Sequence, residues 1–268
     1  MQWEMLTAPE FARAVQETGT CVLALGVLER HGDHLPLGTD FLNAHKIACL
    51  AAEKEPAVVF PPFYFGQIYE AQCFPGTLTI RPTLLVELLL SVFDAIGRNG
   101  FRKIILYNGH GGNTHLVHFL AQTTLWEEKP YYIYVPTRLV DPEQEKKLYS
   151  ILETKPGHAG ELETSLIMAN FPGLVKREAI PQKPALPLGR ASHLPPMFAG
   201  ISWYSNYPDH YAGDARAASE EKGRVILQLA VDALAKYIAA VKADQVLPTL
   251  TREFFQRQKE VSSLGKAE

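Results

Sequence analysis

Cys21–Val27, with the sequence CVLALGV, is a continuous apolar run of seven residues, and Lys103–Tyr107 (KIILY) is a second run of the same kind. Runs like these are typical of strands that are buried on both faces of a sheet. Shorter strands are predicted at residues 57–60, 77–80 and 131–135. Helical patterns alternate with the strands, at residues 8–18, 40–54, 82–98, 113–127, 141–152, 159–170 and 215–242. Strands that alternate with helices predict βαβ units, and therefore an α/β fold with a mostly parallel sheet and helices on both of its faces.

The 268-residue chain is predicted to form a single α/β domain over residues 1–250, followed by a charged peripheral tail at 251–268. Residues 180–214 are rich in proline and aromatic residues and show no helical or strand period, which predicts a long ordered loop. We expect this loop to act either as a substrate lid or as an oligomer contact, since aromatic residues are also enriched at interfaces.

Composition and charge exclude several classes of protein. With 26 basic and 29 acidic residues, the net charge of −3 gives no basic excess for nucleic-acid binding. Three cysteines without a CxxC pair make a disulfide framework improbable and favour a reducing cytosol. The longest apolar stretch, Leu84–Phe93, is interrupted by Glu87 and is too short to cross a bilayer. We therefore expect a soluble cytoplasmic protein with no membrane or nucleic-acid partner.

The segment after the first predicted strand, residues 28–40, reads LERHGDHLPLGTD. Glu29 and His31 are two residues apart and point the same way on an extended backbone, while Asp40 lies where the next helix begins. Two carboxylates and an imidazole at one strand end suit Zn²⁺, Mn²⁺ or Fe²⁺. Taken alone, this segment allows an alternative in which the histidines are ordinary loop residues and Asp40 only caps the helix.

The second motif, NGHGGN at residues 108–113, follows the KIILY strand directly. His110 therefore lies at another strand's carboxyl end, between glycines that allow close approach of a ligand. A glycine-rich turn before a helix also binds phosphate. The spacing here differs from G-x-G-x-x-G and lacks a P-loop lysine, so phosphate binding is the weaker alternative.

The third motif, GHAGELETS at residues 157–165, opens a helix. If that helix begins near Ala159, His158 and Glu161 lie on one face and Glu163 points elsewhere. The two acids could instead complement the helix dipole, but this alternative does not explain the histidine.

The sequence gives weaker evidence for a functional role of the remaining histidines. His45, His115 and His118 fall inside predicted helices, which favours surface or packing roles. His193 lies in the proline-rich loop, and nothing in the sequence indicates a partner for it. The role of His210 is ambiguous, and this residue could line a pocket.

Together, ERHGDHLPLGTD, NGHGGN and HAGELETS resemble the creatininase (creatinine amidohydrolase) family, and the resemblance extends over about residues 20–225. FPGTLTI (Phe74–Ile80) and HYAGDARAASEEKG (His210–Gly223) fit the same family. The resemblance implies a three-layer α/β/α fold, two divalent metal ions (Zn, Mn or Fe) and hydrolysis of an amide-type C–N bond. It also implies a homo-oligomer, since family members commonly form hexamers.

The resemblance also implies a ligand set. Glu29 and His31 would each bind one metal, Asp40 would bridge both, and His110 would join Glu29 on the first metal.

This sequence departs from the family pattern at two places. Creatininase has a metal-binding glutamate where this chain has Gly112, and we expect Glu161, or as second choice Glu163, to replace it. Many relatives carry serine and histidine where this chain has Ile68 and Ala71. Both differences argue against creatinine as the substrate, and the family also includes deformylases and peptide-processing members.

The sequence thus predicts a metal-dependent amidohydrolase that acts on a cyclic amide, a formamide or a related small molecule, with hydroxide generated at a two-metal centre. His158 is the expected proton donor to the leaving nitrogen, oriented by Glu163 or Glu161. The alternatives are a metallopeptidase of the same family and a non-catalytic metal- or nucleotide-binding protein on this scaffold.

Overall fold

The computed structural model describes residues 1–264 of the chain. Its strands are β1 Thr20–Leu25, β2 Val58–Val59, β3 Lys103–Asn108 and β4 Tyr132–Tyr134. Its α-helices are α1 Ala8–Thr18, α2 Thr39–Lys54, α3 Pro82–Arg98, α4 Thr114–Thr123, α5 Pro142–Ile151, α6 Glu161–Asn170, α7 Ser202–Asn206, α8 Glu220–Ala243 and α9 Val246–Ser263.

The four strands form one parallel sheet in the order β2-β1-β3-β4. β1 and β3 are the two apolar runs that the sequence singles out, and they are adjacent over their whole length, from the pair Thr20 and Lys103 to the pair Leu25 and Asn108. The carboxyl ends of the two central strands therefore lie side by side, and the segments that follow them start from the same edge of the sheet.

Successive residues of β1 point to opposite faces of the sheet, as the two-residue period of a strand requires. Cys21, Leu23 and Leu25 pack against α1, α3 and α4 on one face. Val22 and Ala24 pack against α2 and α8 on the other. Both faces of β1 are buried, which confirms the predicted α/β fold with a parallel sheet between two layers of helices.

Helix α6 carries the third motif and is held tightly against α8. At Gly223 of α8, a Cβ atom would lie only 1.9 Å from the backbone oxygen of Ser165 in α6. The missing side chain lets the two helix backbones approach, and this contact fixes α6 at the carboxyl edge of the sheet.

The structure differs from one local prediction and adds detail to two others. Thr77–Ile80, expected as a strand, joins no sheet and makes only an isolated backbone bond from Leu78 N–H to Leu28 O. The expected tail at 251–268 is helical in α9 up to Ser263, with Phe255 buried and most other side chains exposed; residues 265–268 lie outside the described part. The loop at 180–214 contains the short helix α7 and an antiparallel bridge between Ala185 and Gly213.

Within residues 1–264, none of the helices combines the length and apolar character needed to span a membrane.

Candidate metal centre

Glu29, His31 and His110 converge because β1 and β3 end side by side. The first two follow β1 and the third follows β3, and all three are buried. Asp40 reaches the same place from the first turn of α2, whose N-cap is Gly38 and not Asp40. The carboxylate is thus freed from capping and faces the histidines.

Asp40 lies between the two histidines and offers one oxygen to each. Its Oδ1 is 3.1 Å from His31 Nε2, and its Oδ2 is 2.9 Å from His110 Nδ1. A carboxylate in this position can bridge two cations, because each of its oxygens faces a different imidazole.

The group around His110 fits a divalent cation. Glu29 Oε1 lies 2.8 Å from His110 Nδ1, and the oxygen Asp40 Oδ2 lies at a similar distance from the same nitrogen. Both oxygens are buried, and neither has a hydrogen-bond partner among the described residues. Buried carboxylate oxygens without partners are costly and usually indicate an absent ion or water. Two carboxylate oxygens and one imidazole nitrogen form a ligand set suited to Zn²⁺ or Mn²⁺.

A second group of potential ligands adjoins the first. One atom each from His31, His158 and Glu163 lie within 4.8 Å of one another, as do atoms from Glu29, His31 and Asp40. Glu163 Oε2 is 3.9 Å from His31 Nε2. His31 therefore has carboxylates on two sides and could hold a second cation.

The charges in this cluster are strongly coupled. Burial alone would lower the pKa of His31, but the carboxylates of Asp40, Glu29 and Glu163 outweigh it and raise the pKa to about 10. Glu29 and Asp40 likewise raise the pKa of His110 well above its ordinary value. Burial raises the pKa of Glu163 to about 7. In the metal-free protein, protons balance these carboxylates, and a bound cation would displace them.

Glu161, the first choice for the ligand missing at Gly112, lies outside this cluster. Its carboxylate accepts hydrogen bonds from the backbone N–H groups of Glu153 and Thr154, from the Thr154 hydroxyl and from Lys222 Nζ, which is 2.6 Å away. Both of its oxygens are engaged by these groups, so the structure does not bring Glu161 to the histidines as the sequence predicts.

The local backbone explains this placement. Helix α6 begins at Glu161, and Ala159 has a positive φ of 56°, so His158 precedes the helix and does not share a helical face with Glu161. The turn at Ala159 instead directs its backbone N–H to Glu163 Oε2 at 2.6 Å. Glu163, the second choice, is the glutamate that faces the histidines.

His158 lies at the edge of the metal centre. Its ring is 4.3 Å from the His31 ring, and its Nε2 is 2.8 Å from the backbone oxygen of Arg30. Burial, followed by the charge of His31, lowers the pKa of His158 to about 3. The imidazole is therefore neutral at pH 7 and has to gain a proton before it can donate one.

His210 is a member of the site that the sequence left ambiguous. Its Nε2 is 2.5 Å from Glu29 Oε2, and its Nδ1 accepts a hydrogen bond from Trp203 Nε1 at 3.2 Å. The residue stands in an aperiodic loop, where spacing carries no information about direction. The only indication in the sequence that His210 belongs to the site was its position at the start of the HYAGDARAASEEKG motif.

The surroundings of Gly112 explain why this position is glycine. A Cβ atom here would lie 2.4 Å from His110 Nε2, 2.7 Å from Gln67 Oε1 and 3.1 Å from Glu70 Oε1. The side chains of Gln67 and Glu70 thus occupy the space that a glutamate at position 112 would need.

A cavity of about 820 Å³ opens onto the centre. The motif residues Glu29, Asp40, His110, His158 and Glu163 line it on one side. The 180–214 loop lines the other side with Phe198, Ala199, Gly200, Ser202, Trp203 and Asn206. His115, which the sequence assigned to packing or the surface, also lines the cavity.

Comparisons with known proteins identify relatives of this chain. The family model for creatininase (creatinine amidohydrolase) matches residues 4–238. The 3-dehydro-scyllo-inosose hydrolase of Thermotoga maritima is 27% identical over 256 residues, covering 88% of this chain and 82% of that protein. The creatinine amidohydrolase of Pseudomonas putida is 28% identical over 257 residues, covering 87% and 94%. A mycofactocin precursor peptide peptidase of Mycolicibacterium smegmatis is 31% identical over 153 residues, covering 55% and 56%.

Among solved structures, a mutant creatininase described as the Zn-Zn type superposes with a TM-score of 0.77 and 25% identity, covering 91% of this chain and 98% of that one. The fold, the order of the motifs and a family match over most of the sequence lead to one conclusion: this chain belongs to the creatininase family.

Proposed function

We propose that this protein is a metal-dependent hydrolase that cleaves a C–N bond of a small cyclic amide, formamide or related compound at a two-metal centre. The main observation behind the proposal is that Asp40 lies between His31 and His110. In addition, Glu29 Oε1 and Asp40 Oδ2, which make no hydrogen bond among the described residues, both face His110 Nδ1. The Zn-Zn type creatininase structure supports the choice of zinc, and a manganese creatininase keeps Mn²⁺ open.

The residues divide into two ligand groups. Glu29, His110 and one oxygen of Asp40 would hold the first cation, and His31, Glu163 and the other oxygen of Asp40 would hold the second. When bound, the cations would lower the pKa of a water molecule and polarise the substrate carbonyl. The protein's part is to keep the carboxylates and imidazoles in place while burial excludes bulk water from them.

His158 is suited to move a proton between the attacking water and the leaving nitrogen. Its Nε2–H donates to the Arg30 carbonyl, so the neutral ring keeps the lone pair on Nδ1. We expect Nδ1 to take a proton from water during attack and to return it to the leaving nitrogen when the C–N bond breaks. This order keeps the expected role of His158 as proton donor to the leaving nitrogen and adds an earlier step in which the neutral ring gains that proton.

The cavity favours a small substrate. A volume of about 820 Å³ lies in the range that small-molecule sites occupy in proteins. The 180–214 loop contributes several of the residues that line the cavity, which leaves less room for a long peptide in an extended conformation. The peptidase relative keeps peptide hydrolysis as the second candidate, although that match covers only 55% of this chain.

Metal analysis combined with a substrate panel tests the proposal. The panel contains cyclic amides, formamides, a cyclic polyol ketone and short peptides, each offered to protein loaded with zinc or manganese. We expect about two metal ions per chain and turnover of a cyclic amide or formamide. Asp40→Ala should lose both metal and turnover, since Asp40 serves both cations.

The matched control is Asp33→Ala, which removes an exposed carboxylate from the same loop and should keep both properties. A fully active, metal-replete Asp40→Ala protein would contradict the two-metal assignment. Bound metal without turnover on the whole panel would favour a binding protein, and turnover of peptides alone would favour the peptidase.

A further inference from the structure

His210 is held in an unusual position beside the metal centre. It is 2% exposed, and its φ of 52° lies in the left-handed region that residues other than glycine rarely adopt. Its backbone N–H donates to Tyr207 O at 3.1 Å, which closes the turn. Strained backbone of this kind persists only where the surroundings fix it, and it is common at functional sites.

The partners of His210 define which ring nitrogen carries its proton. An indole N–H can only donate, so the hydrogen bond from Trp203 Nε1 requires a lone pair on His210 Nδ1. The proton of the ring then belongs on Nε2, which lies 2.5 Å from Glu29 Oε2 and donates to it. Trp203 thus selects the tautomer in which His210 can bind Glu29.

This donation leaves Glu29 with two different oxygens. Oε2 accepts from His210, while Oε1 has no hydrogen-bond partner among the described residues and faces His110. A carboxylate held through one oxygen presents the other in a fixed direction, as supporting hydrogen bonds do for ligands in metal sites. His210 therefore orients the oxygen that faces the candidate cation.

Trp203 connects this arrangement to the loop. It belongs to the short helix α7 within the 180–214 segment, lines the cavity and packs against Tyr207 with ring centroids 4.8 Å apart. Its ring also stands edge-on to His158 at 5.8 Å. One side chain of the loop thus contacts the candidate proton carrier and, through His210, a candidate metal ligand.

We propose that Trp203 and His210 are positioning residues for Glu29, and we call this pair the latch. When the 180–214 loop lies over the cavity, Trp203 sets the tautomer of His210. His210 in turn orients Glu29 toward its metal. This inference rests on the proposed function for the identity of the cation, but the tautomer of His210 belongs to the chain alone. If the latch forms, the 180–214 loop is a lid over the candidate metal centre and contributes to metal binding.

The test measures metal affinity and tautomer, neither of which requires turnover. The zinc dissociation constant of the full chain is measured by competition with a chelator for wild type, Trp203→Phe, His210→Phe and the double variant. Trp126→Phe, which makes the same substitution at an 85% exposed site, is the matched control. Unfolding curves of each metal-free variant show that it is folded.

We expect His210→Phe to weaken zinc binding about tenfold, the lower end of the effect seen when a supporting hydrogen bond to a ligand is lost. Trp203→Phe should weaken it less, about threefold, because part of the population keeps the proton on Nε2. The double variant should be no weaker than His210→Phe, because Trp203 acts through His210. His210→Gln should restore most of the affinity, since its amide N–H can reach Glu29. Trp126→Phe should bind zinc as wild type does.

Nitrogen NMR of histidine-labelled, metal-free protein gives the second readout. The signal that disappears in His210→Phe identifies the residue, and it should show the proton on Nε2 in wild type and a mixture of tautomers in Trp203→Phe. A Trp203→Phe protein that binds zinc within twofold of wild type, additive effects in the double variant, or a wild-type proton on Nδ1 would each overturn the latch. Wild-type protein that binds no zinc would instead overturn the proposed function, and the NMR result would still decide the latch.

Discussion

Exchanging either of two neighbouring glutamates for glutamine should separate folding from metal binding. Glu161→Gln removes the charge from a fully buried carboxylate that Lys222 contacts at 2.6 Å. Glu163→Gln removes the ionisable carboxyl group that faces His31. The two substitutions are chemically identical and two residues apart, so each serves as the control for the other.

The expected magnitudes follow from the contacts. A glutamine at position 161 keeps one acceptor oxygen for the Thr154 groups, but it turns an amide N–H₂ toward Lys222 Nζ, which is itself a donor. Removing one partner of a buried ion pair costs about 3–5 kcal/mol. Lys222 keeps Glu153 and the Ala217 carbonyl as partners, so we expect the low end, about 3 kcal/mol in the free energy of unfolding.

Glu163→Gln keeps an oxygen that can accept from the Ala159 N–H, so its effect on the unfolding free energy of the metal-free protein should stay below about 1 kcal/mol. Its zinc dissociation constant should rise at least tenfold. Glu161→Gln should leave zinc binding within threefold of wild type. Denaturant unfolding of metal-free protein and chelator competition measure the two quantities. Loss of zinc binding in a stably folded Glu161→Gln protein would refute this division of roles.

Three further outcomes are expected. His158→Gln should keep its metal and lower kcat by about 10²–10⁴-fold, which metal analysis and steady-state kinetics check together. Gly112→Ala should weaken zinc binding, because its Cβ would lie 2.4 Å from His110 Nε2, whereas Gly111→Ala, with no atom within 4 Å of its Cβ, should bind zinc as wild type does. Burial alone would raise the pKa of Glu161, but its hydrogen bonds outweigh this effect and lower the pKa in the folded protein. The ionised Glu161 carboxylate therefore stabilises the fold at neutral pH, and this stabilisation is lost as the pH falls through the pKa of Glu161 in the folded protein. The stability difference between wild type and Glu161→Gln, measured by unfolding at a series of pH values, should therefore shrink below about pH 4.5.

The fold could be predicted because its central strands carry an unmistakable pattern. Cys21–Val27 and Lys103–Tyr107 are apolar on both faces, and only a sheet covered by helices on each side can bury them. Polar residues directly after such strands lie at the carboxyl edge of the sheet. The pairing of Glu29 with His110 was implied by the family resemblance, and in the structure Glu29 Oε1 lies 2.8 Å from His110 Nδ1.

Sequence and structure differ where the backbone conformation, rather than the hydrophobic pattern, determines which way a side chain points. The left-handed turn at Ala159 delays the start of α6 and directs Glu163 instead of Glu161 toward the histidines. His210 reaches Glu29 across 181 residues of sequence from a loop without periodicity, and no local rule predicts such a contact. Thr77–Ile80 has the residues of a strand but joins no sheet in the structure.

In the proposed centre, Asp40 joins two cations. Anomalous diffraction from crystals of the zinc-loaded protein tests this arrangement most directly. We predict two peaks per chain, one in contact with Glu29, Asp40 and His110 and the other in contact with Asp40, His31 and Glu163. A single peak, or a zinc ion bound by Glu161, would contradict it.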